Sequence, residues 1–155
     1  MNNESDLIRV QLAVQPASWH SIATETLWAK PVAPGVARLK NSPFYAKGYS
    51  HHDLVEVTFE SGDGLPVVRK VLESSGHSTY VFWVEAGVES NAKFAAHWKP
   101  LEELGCTYEA VRGELLSVDV PAQSDIKEAY RLMQVGEDAN AWHFMELNVG
   151  HRNAA

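Results

Sequence analysis

The amino-acid sequence predicts an α+β protein, with β structure in the first part of the chain and a mixture of helices and strands in the second. Two observations predict this class. Residues 1–74 contain short segments with the two-residue apolar period of half-buried strands. Residues 75–155 switch between that period and the spacing of amphipathic helices. The chain has 155 residues, which is enough for one domain or two small ones.

Five short strands are predicted in residues 1–74. They cover residues 8–15, 23–29, 36–39, 53–59 and 65–72. Glycine- and proline-containing turns separate them, including a hairpin turn at residues 61–64. The fourth strand is expected to carry Val55, Val57 and Phe59 on one face. Short strands joined by such turns favour a small barrel or a strongly curled sheet.

The second part begins with residues 79–84, which are apolar on both faces as in a central buried strand. A helix is predicted next, because large apolar residues recur at helical spacing. These residues are Phe94, Trp98, Leu101 and Leu104. Gly105 is placed to end this helix. Pro100 predicts either a kink or a second short helix, since proline lacks a backbone donor and crowds the preceding turn.

A hairpin, a helix and a final strand complete the chain. The hairpin pairs residues 108–111 with residues 114–120, and the last strand covers residues 141–149. Ser124 is predicted to cap the helix, which ends near Gly136. The buried face of this helix is expected to carry Ile126, Tyr130 and Met133.

The element order β-α-β-β-α-β is typical of ferredoxin-like folds. We therefore predict a β-barrel-like subdomain over residues 1–74, packed on a ferredoxin-like subdomain over residues 75–155. The linker is too short for independent motion, so we expect one cooperative unit. One face of the ferredoxin-like sheet is expected to remain open to partners.

Three segments together resemble a known family. They are residues 25–29 (Glu-Thr-Leu-Trp-Ala), residues 39–48 (Leu-Lys-Asn-Ser-Pro-Phe-Tyr-Ala-Lys-Gly) and residues 75–80 (Ser-Gly-His-Ser-Thr-Tyr). With Asp-Leu-Val at residues 53–55, they resemble the bacterial domain of unknown function 4265 (DUF4265) over most of the chain. The resemblance implies a bacterial cytoplasmic protein. It implies no substrate, cofactor or catalytic residue.

The charge distribution argues against nucleic acid and anionic membranes as partners. The net charge is −7. Residues 1–74 carry 7 basic and 8 acidic side chains, whereas residues 75–155 carry 6 basic and 12 acidic ones. The second half would therefore repel a phosphate backbone.

Other features favour the cytoplasm. The chain starts with polar and acidic residues instead of a signal peptide, and it has no apolar run long enough to span a bilayer. Cys106 is the single cysteine, which excludes an internal disulfide and fits a reducing compartment. We expect Cys106 to be a small buried hydrophobic residue.

The most suggestive segment is Ser75-Gly76-His77-Ser78, which leads from the barrel-like half into the second half. It could bind a ligand through an imidazole and backbone N–H groups, with His77 as a general base that Asp53 or another acid orients. The alternative, which we favour, is structural: Gly76 permits a tight turn and His77 bonds across the junction.

Asn41, Phe44 and Tyr45 form a second candidate. The two aromatic rings could grip a ligand or peptide at a rim. The structural interpretation, which we favour, is a rigid loop in which Asn41 bonds its own backbone and the aromatics plug one end of the barrel.

His51-His52-Asp53 raises the possibility of a metal site. Adjacent histidines in an extended segment point in opposite directions, so both rarely reach one ion. A third ligand would have to come from His77, His20 or Asp63. We therefore predict no metal site and no cofactor, and expect Asp53 to cap the preceding turn.

No catalytic residues are assigned from the sequence. A Gly-x-Ser-x-Gly elbow is absent, and the tryptophans are mostly core candidates. The leading hypothesis is a non-enzymatic module that binds a small molecule or protein. One alternative is a small enzyme that acts on a polar metabolite with His77 as base. Another is an immunity-type protein that binds a basic partner through its acidic half.

Chain order predicts where a site would lie. His77 precedes the buried strand of the second half, and Asp53 opens the strand that pairs with the strand ending near Leu72. We therefore expect His77 and Asp53 to meet at the seam, meaning the junction between the two halves. The chain ends, residues 1–5 and 152–155, are expected to be mobile.

Overall fold

The computed structural model describes residues 6–59 and 64–151. Within them lie nine strands and two helices. In chain order they are β1 (Ile8–Ala13), β2 (Thr24–Ala33), β3 (Val36–Leu39), β4 (Leu54–Thr58), β5 (Val67–Glu73), β6 (Ser78–Trp83), α1 (Ala92–Glu103), β7 (Thr107–Val111), β8 (Leu115–Val120), α2 (Ile126–Asp138) and β9 (His143–Asn148). The predicted α+β class is confirmed. The hairpin turn expected at residues 61–64 lies mostly outside the described residues, as do both chain ends.

Strands β1 to β5 form a closed barrel. Neighbours along the chain pair antiparallel, and β1 closes the barrel through a parallel contact between Gln11 and Val67. The two-residue alternation sends small aliphatic side chains inward, because a five-stranded barrel has a narrow interior. Those inward residues include Val10, Leu12, Leu27, Ala29, Ala37, Leu39, Val55, Val57 and Val68. Phe59 does not join Val55 and Val57 inside, since it lies beyond the end of β4 and is 71% exposed.

Strands β6 to β9 form a separate sheet in the order β7-β8-β6-β9, with antiparallel pairs throughout. Both helices pack against one face of this sheet and enclose an aromatic core. Its large members are Tyr80, Phe82, Phe94, Trp98 and Trp142. The expectation that the tryptophans are mostly core is wrong, because Trp19, Trp28 and Trp83 are 38–48% exposed.

Helix α1 continues through Pro100 as far as Glu103, so the alternative of a second short helix that starts there is wrong. The packing of Phe94, Trp98 and Leu101 in the core offsets the backbone hydrogen bond that proline cannot make. Gly105 follows the helix with a φ of 102°, as expected of a residue that ends a helix.

Helix α2 differs from its prediction at both ends. Asp125, not Ser124, is its N-cap, and the Ser124 hydroxyl instead donates to the carbonyl of Leu104. The helix continues past Gly136 to Asp138. Tyr130 is 44% exposed, whereas Ile126 and Met133 are buried.

The loop between β3 and β4 lies on the face of the β6–β9 sheet that the helices do not cover. Phe44 and Tyr45 pack beside Val81, Leu115 and Leu147. The expectation of an open sheet face is therefore wrong for this part of the sheet. No helix among the described residues is long and apolar enough to cross a membrane.

Candidate functional site

The seam is built around a turn at residues 50–53, just before β4. The Asp53 carboxylate accepts hydrogen bonds from the backbone N–H of Ser50 at 2.9 Å and of Ser75 at 2.8 Å. The first bond caps the turn, as predicted. The second ties the turn to the segment that leads into β6, so Asp53 and His77 do lie close together at the seam.

His77 is oriented by Asp119, not by Asp53. The Nδ1 atom of His77 lies 2.8 Å from Oδ1 of Asp119. Strand β8 places Asp119 directly opposite Thr79 of β6, on the sheet face that meets the barrel. Asp53 is unsuitable for this role, because its oxygens are already used by backbone N–H groups.

A second histidine approaches the same carboxylate from the barrel side. Nδ1 of His51 lies 3.7 Å from Oδ2 of Asp119. The Ser75 hydroxyl donates to the backbone carbonyl of His51 at 2.7 Å, and it accepts from the N–H of His77 at 3.2 Å. One serine therefore links the backbones of both histidines.

The prediction that His51 and His52 point in opposite directions, as in an extended segment, is wrong. They lie in the turn, where His52 has a φ of 73°, and their rings stack with centroids 3.9 Å apart. The pKa of His52 is lowered to about 4, chiefly by burial and then by the neighbouring charges of His51, Lys40 and His77. His52 is therefore uncharged at neutral pH.

Asp119 is the central acid of what we call the seam cluster: His51, His52, His77 and Asp119. It is only 7% exposed. Burial alone would raise the pKa of its carboxyl group, but the contacts with His51 and His77 outweigh burial and lower it below the ordinary value. Asp119 is therefore ionised at neutral pH, and Nδ1 of His77 must carry the proton in their hydrogen bond.

A cavity of about 220 Å³, which we call the seam cavity, borders His51 and Asp119. The rest of its lining is mostly polar and comes from both halves of the molecule. It includes Lys40, Asn41, Ser42, Thr107, Glu109 and Ser117. Donors, acceptors and charges of both signs therefore converge on one small space.

A separate polar network lies beside the seam cluster. The Ser78 hydroxyl is 2.6 Å from Nδ1 of His151, and it accepts from the N–H of Gly150 at 3.0 Å. Nε2 of His151 is 2.8 Å from the carbonyl of Pro121, which requires that this nitrogen carry the ring proton. Ser78 is fully buried, so this serine–histidine pair is closed to substrates.

The second predicted candidate site, formed by Asn41, Phe44 and Tyr45, does not come together as one site. The side chain of Asn41 accepts from the backbone N–H of Trp28 at 2.9 Å rather than bonding its own backbone. The N–H groups of Phe44, Tyr45 and Ala46 all donate to the Glu25 carboxylate. Tyr45 packs against both the barrel core and the sheet, and Phe44 packs against the sheet, while Asn41 reaches the seam cavity.

The sequence-based predictions missed Asp119 and rejected His51 as a metal ligand. Asp119 did carry a signal, because an acidic residue in the otherwise buried segment Leu115–Val120 demands a partner. Of the other residues considered as a third metal ligand, His20 packs against Trp19 and Tyr45 away from the cluster, and Asp63 lies outside the described residues.

A more apolar groove of about 380 Å³ lies on the sheet face that Phe44 and Tyr45 partly cover. It is lined by Trp19, Val81, Trp83, Leu115, His143, Phe144 and Met145. This groove lacks the convergence of charged groups that the seam cavity has, so the seam cavity is the stronger candidate site.

Comparison with known proteins gives a family. A sequence model described as Domain of unknown function (DUF4265) matches residues 25–144. The chain belongs to this family. The match includes His51, His77 and Asp119 but not His151. The predicted family resemblance is thereby confirmed.

One solved structure is similar to this DUF4265 protein. It is described as a novel crystal structure of a hypothetical protein from Neisseria gonorrhoeae. The two chains are 20% identical with a TM-score of 0.76, over 92% of this chain and 95% of that one. At this identity the likeness shows the fold alone. No curated protein matches the chain.

Proposed function

We propose that this protein is a binding module that takes a small polar molecule in the seam cavity. The observation that carries the proposal is the Asp119 carboxylate, which is buried beneath two histidines from different halves of the molecule and borders the cavity. A buried ionised carboxylate is costly unless it is well paired. Here the carboxylate and one of its partners, His51, also border a space that a ligand can enter.

The dimensions and lining of the cavity support a small polar ligand. Its volume of about 220 Å³ is below the roughly 300–1,000 Å³ of pockets for drug-sized molecules. Lys40 offers a positive charge, while Glu109 and Asp119 offer negative ones. A molecule with both donors and acceptors matches this lining.

The position of the cavity between the two halves supports a regulatory role, in which ligand binding would control how firmly the halves associate. Lys40 and His51 belong to the barrel half, whereas Thr107, Ser117 and Asp119 belong to the sheet. A ligand that contacts both sets would stabilise their association, because binding to the folded state alone shifts the folding equilibrium.

Native mass spectrometry of the protein purified from its own host tests this proposal. We expect a retained small molecule on the wild type and its loss from His77→Ala. That variant should also lose about 1–3 kcal/mol in the free energy of unfolding, because Asp119 then lacks a hydrogen-bond partner. His97→Ala is the matched control, since His97 is a histidine outside the seam that bonds the backbone of Lys93. Unchanged retention by folded His77→Ala would show that His77 is only structural and would refute the proposal.

A small enzyme is the second candidate function. The hydrogen bond from Nδ1 of His77 to Asp119 leaves Nε2 of His77 as the basic nitrogen, as a general base requires. Incubating the protein with a mixture of polar metabolites, followed by NMR, tests this function. Consumption of a compound by wild type but not by His77→Ala would support it, and the absence of any consumption would count against it.

We also propose that residues 75–155 form a ferredoxin-like subdomain and residues 1–74 a barrel subdomain. The sheet order β7-β8-β6-β9, with every pair antiparallel, supports the first assignment. Hydrogen exchange can test the boundary. Local opening units that divide near residue 74, below a single cooperative global unfolding, would support it, whereas local units that cross residue 74 would contradict it.

A further inference from the structure

We propose that His51, His77 and Asp119 bind a divalent transition-metal ion of the Zn²⁺ type. This inference rests on the proposed function of the seam as a ligand site, and it names the ligand class for the cluster itself. One nitrogen from each histidine and one carboxylate oxygen lie within 4.8 Å of one another. No other group of three such side chains among the described residues meets this criterion.

The spacing of the donor atoms is close to that of a metal site. At metal–ligand distances of about 2.1 Å, tetrahedral ligand atoms lie about 3.4 Å apart. The closest oxygen of Asp119 lies 2.8 Å from His77 Nδ1, and the other oxygen lies 3.7 Å from His51 Nδ1. Both distances are within about 0.6 Å of that spacing.

The chemistry of the donors selects the class of ion. Two imidazoles and one carboxylate suit Zn²⁺ and neighbouring transition metals, whereas Mg²⁺ and Ca²⁺ prefer ligands that are all oxygen. Three protein ligands leave a coordination position, and the seam cavity borders both His51 and Asp119. A water molecule or a small polar ligand would take that position.

The surrounding bonds hold the cluster in place. Asp53 fixes the turn that carries His51, and Ser75 joins the backbones of His51 and His77. Supporting hydrogen bonds of this kind orient metal ligands in proteins. Metal binding would replace the proton between His77 and Asp119, as expected when a metal competes for its ligands.

His52 provides an internal control. Its ring stacks on that of His51, but it does not belong to the group of three. Substituting His52 therefore tests whether any nearby histidine suffices. His143 on β9 serves as a distant control, because it lies in the apolar groove.

The experiment uses the full chain freed of metal with EDTA. Zn²⁺ binding is measured by calorimetry, and Co²⁺ binding by its visible d–d absorption. We expect one ion per wild-type chain. Asp119→Asn and His77→Gln should bind at least about tenfold more weakly, whereas His52→Gln and His143→Gln should stay within about threefold of wild type.

Two measurements keep the inference falsifiable if a variant is poorly folded. Circular dichroism checks each variant. In the wild type, histidine NMR should show Zn²⁺-dependent shifts of the His51 and His77 rings, and no such shift of His143. Failure of the wild type to bind Zn²⁺ or Co²⁺ stoichiometrically, or unchanged binding by both ligand variants, would overturn the inference.

The outcomes also separate this inference from the proposed function. A retained organic molecule that depends on His77, without metal binding, would leave the binding function standing and remove the metal. Stoichiometric metal binding that needs Asp119, without any retained organic molecule, would support the metal site and remove the small-molecule proposal.

Discussion

His77 of the seam cluster is the chain neighbour of Ser78, whose bonds to Gly150 and His151 we call the closed network. The two groups differ in how completely the protein encloses their polar atoms. Ser78 is fully buried, and both ring nitrogens of His151 are bonded within the protein. Asp119 is shared by two histidines and borders a cavity. The comparison teaches that a histidine beside a hydroxyl or a carboxylate is not by itself a site. Access for a ligand makes the difference.

Strand geometry explains why the two networks separate. Successive side chains at the start of β6 point to opposite faces. Thr79 faces Asp119 and the barrel side, whereas Ser78 meets the segment that follows β9. Among the described residues, every buried side-chain nitrogen or oxygen has a hydrogen-bond partner. Unsatisfied atoms therefore do not distinguish the open cluster from the closed one.

The largest expected loss of stability follows substitution of Gly150, which belongs to the closed network. An alanine Cβ there would lie 2.2 Å from the backbone oxygen of His77. Because a backbone atom cannot rotate away, Gly150→Ala should lower the free energy of unfolding by about 3 kcal/mol, as measured by urea denaturation. Gly64→Ala is the control, since a Cβ there meets nothing within 4 Å. Equal stability of the two variants would show that the closed network adapts as readily as an open one.

The next effect concerns Glu25, whose enclosed carboxylate holds the loop over the sheet. Glu25→Ala removes the acceptor of three backbone N–H groups, those of Phe44, Tyr45 and Ala46. We expect a loss of about 2–3 kcal/mol, together with faster amide exchange at these three residues. Unchanged exchange there would mean that packing of the aromatic rings, rather than this carboxylate, anchors the loop.

A smaller effect is expected at Ser78. Ser78→Ala leaves the N–H of Gly150 and a nitrogen of His151 without their partner, so stability should fall by about 1–2 kcal/mol. Binding at the seam cavity should persist, as native mass spectrometry can check. Ser74→Ala is the matched control, because the hydrogen bond that the Ser74 hydroxyl accepts from the N–H of Gly76 is exposed and its loss should cost at most about 0.5 kcal/mol. Loss of seam binding in Ser78→Ala would break the distinction between the two networks.

The smallest effect concerns Cys106, a closed group on the core side of the sheet. It is buried as predicted, and burial raises the pKa of its thiol from 9.0 to about 12. Iodoacetamide should therefore leave the native thiol unmodified at pH 8 and label it after unfolding. Rapid labelling of Cys106 in the native protein would show that the core between the sheet and the helices is also accessible to small molecules.

The raised pKa of the Cys106 thiol also makes the free energy of unfolding depend on pH. Above the unfolded pKa of 9.0 the unfolded thiol loses its proton while the folded thiol keeps it, so stability falls as pH rises above about 9. Below that pH the thiol contributes no slope. Subtracting the pH profile of Cys106→Ala from that of the wild type isolates this contribution.

Much of the fold was predictable from the sequence. The two-residue period located the strands of the barrel, and helical spacing located both helices, with errors of a few residues at their ends. These patterns are local, because a strand or helix must show one apolar face to a core whatever its neighbours are. Asp53 as a cap, and its nearness to His77, also followed from chain order and hairpin pairing.

Only the tertiary structure decided how the site is composed. Asp119 reaches His77 across 42 positions of sequence, because β8 inserts beside β6 in one particular register. His51 and His52 stack because the turn at residues 50–53 bends with a positive φ at His52, which a strand pattern does not reveal. The loop over the sheet depends on Glu25 from β2. Local periodicity determines which residues face inward, whereas register and loop paths depend on packing of the whole chain, and these bring the seam cluster together.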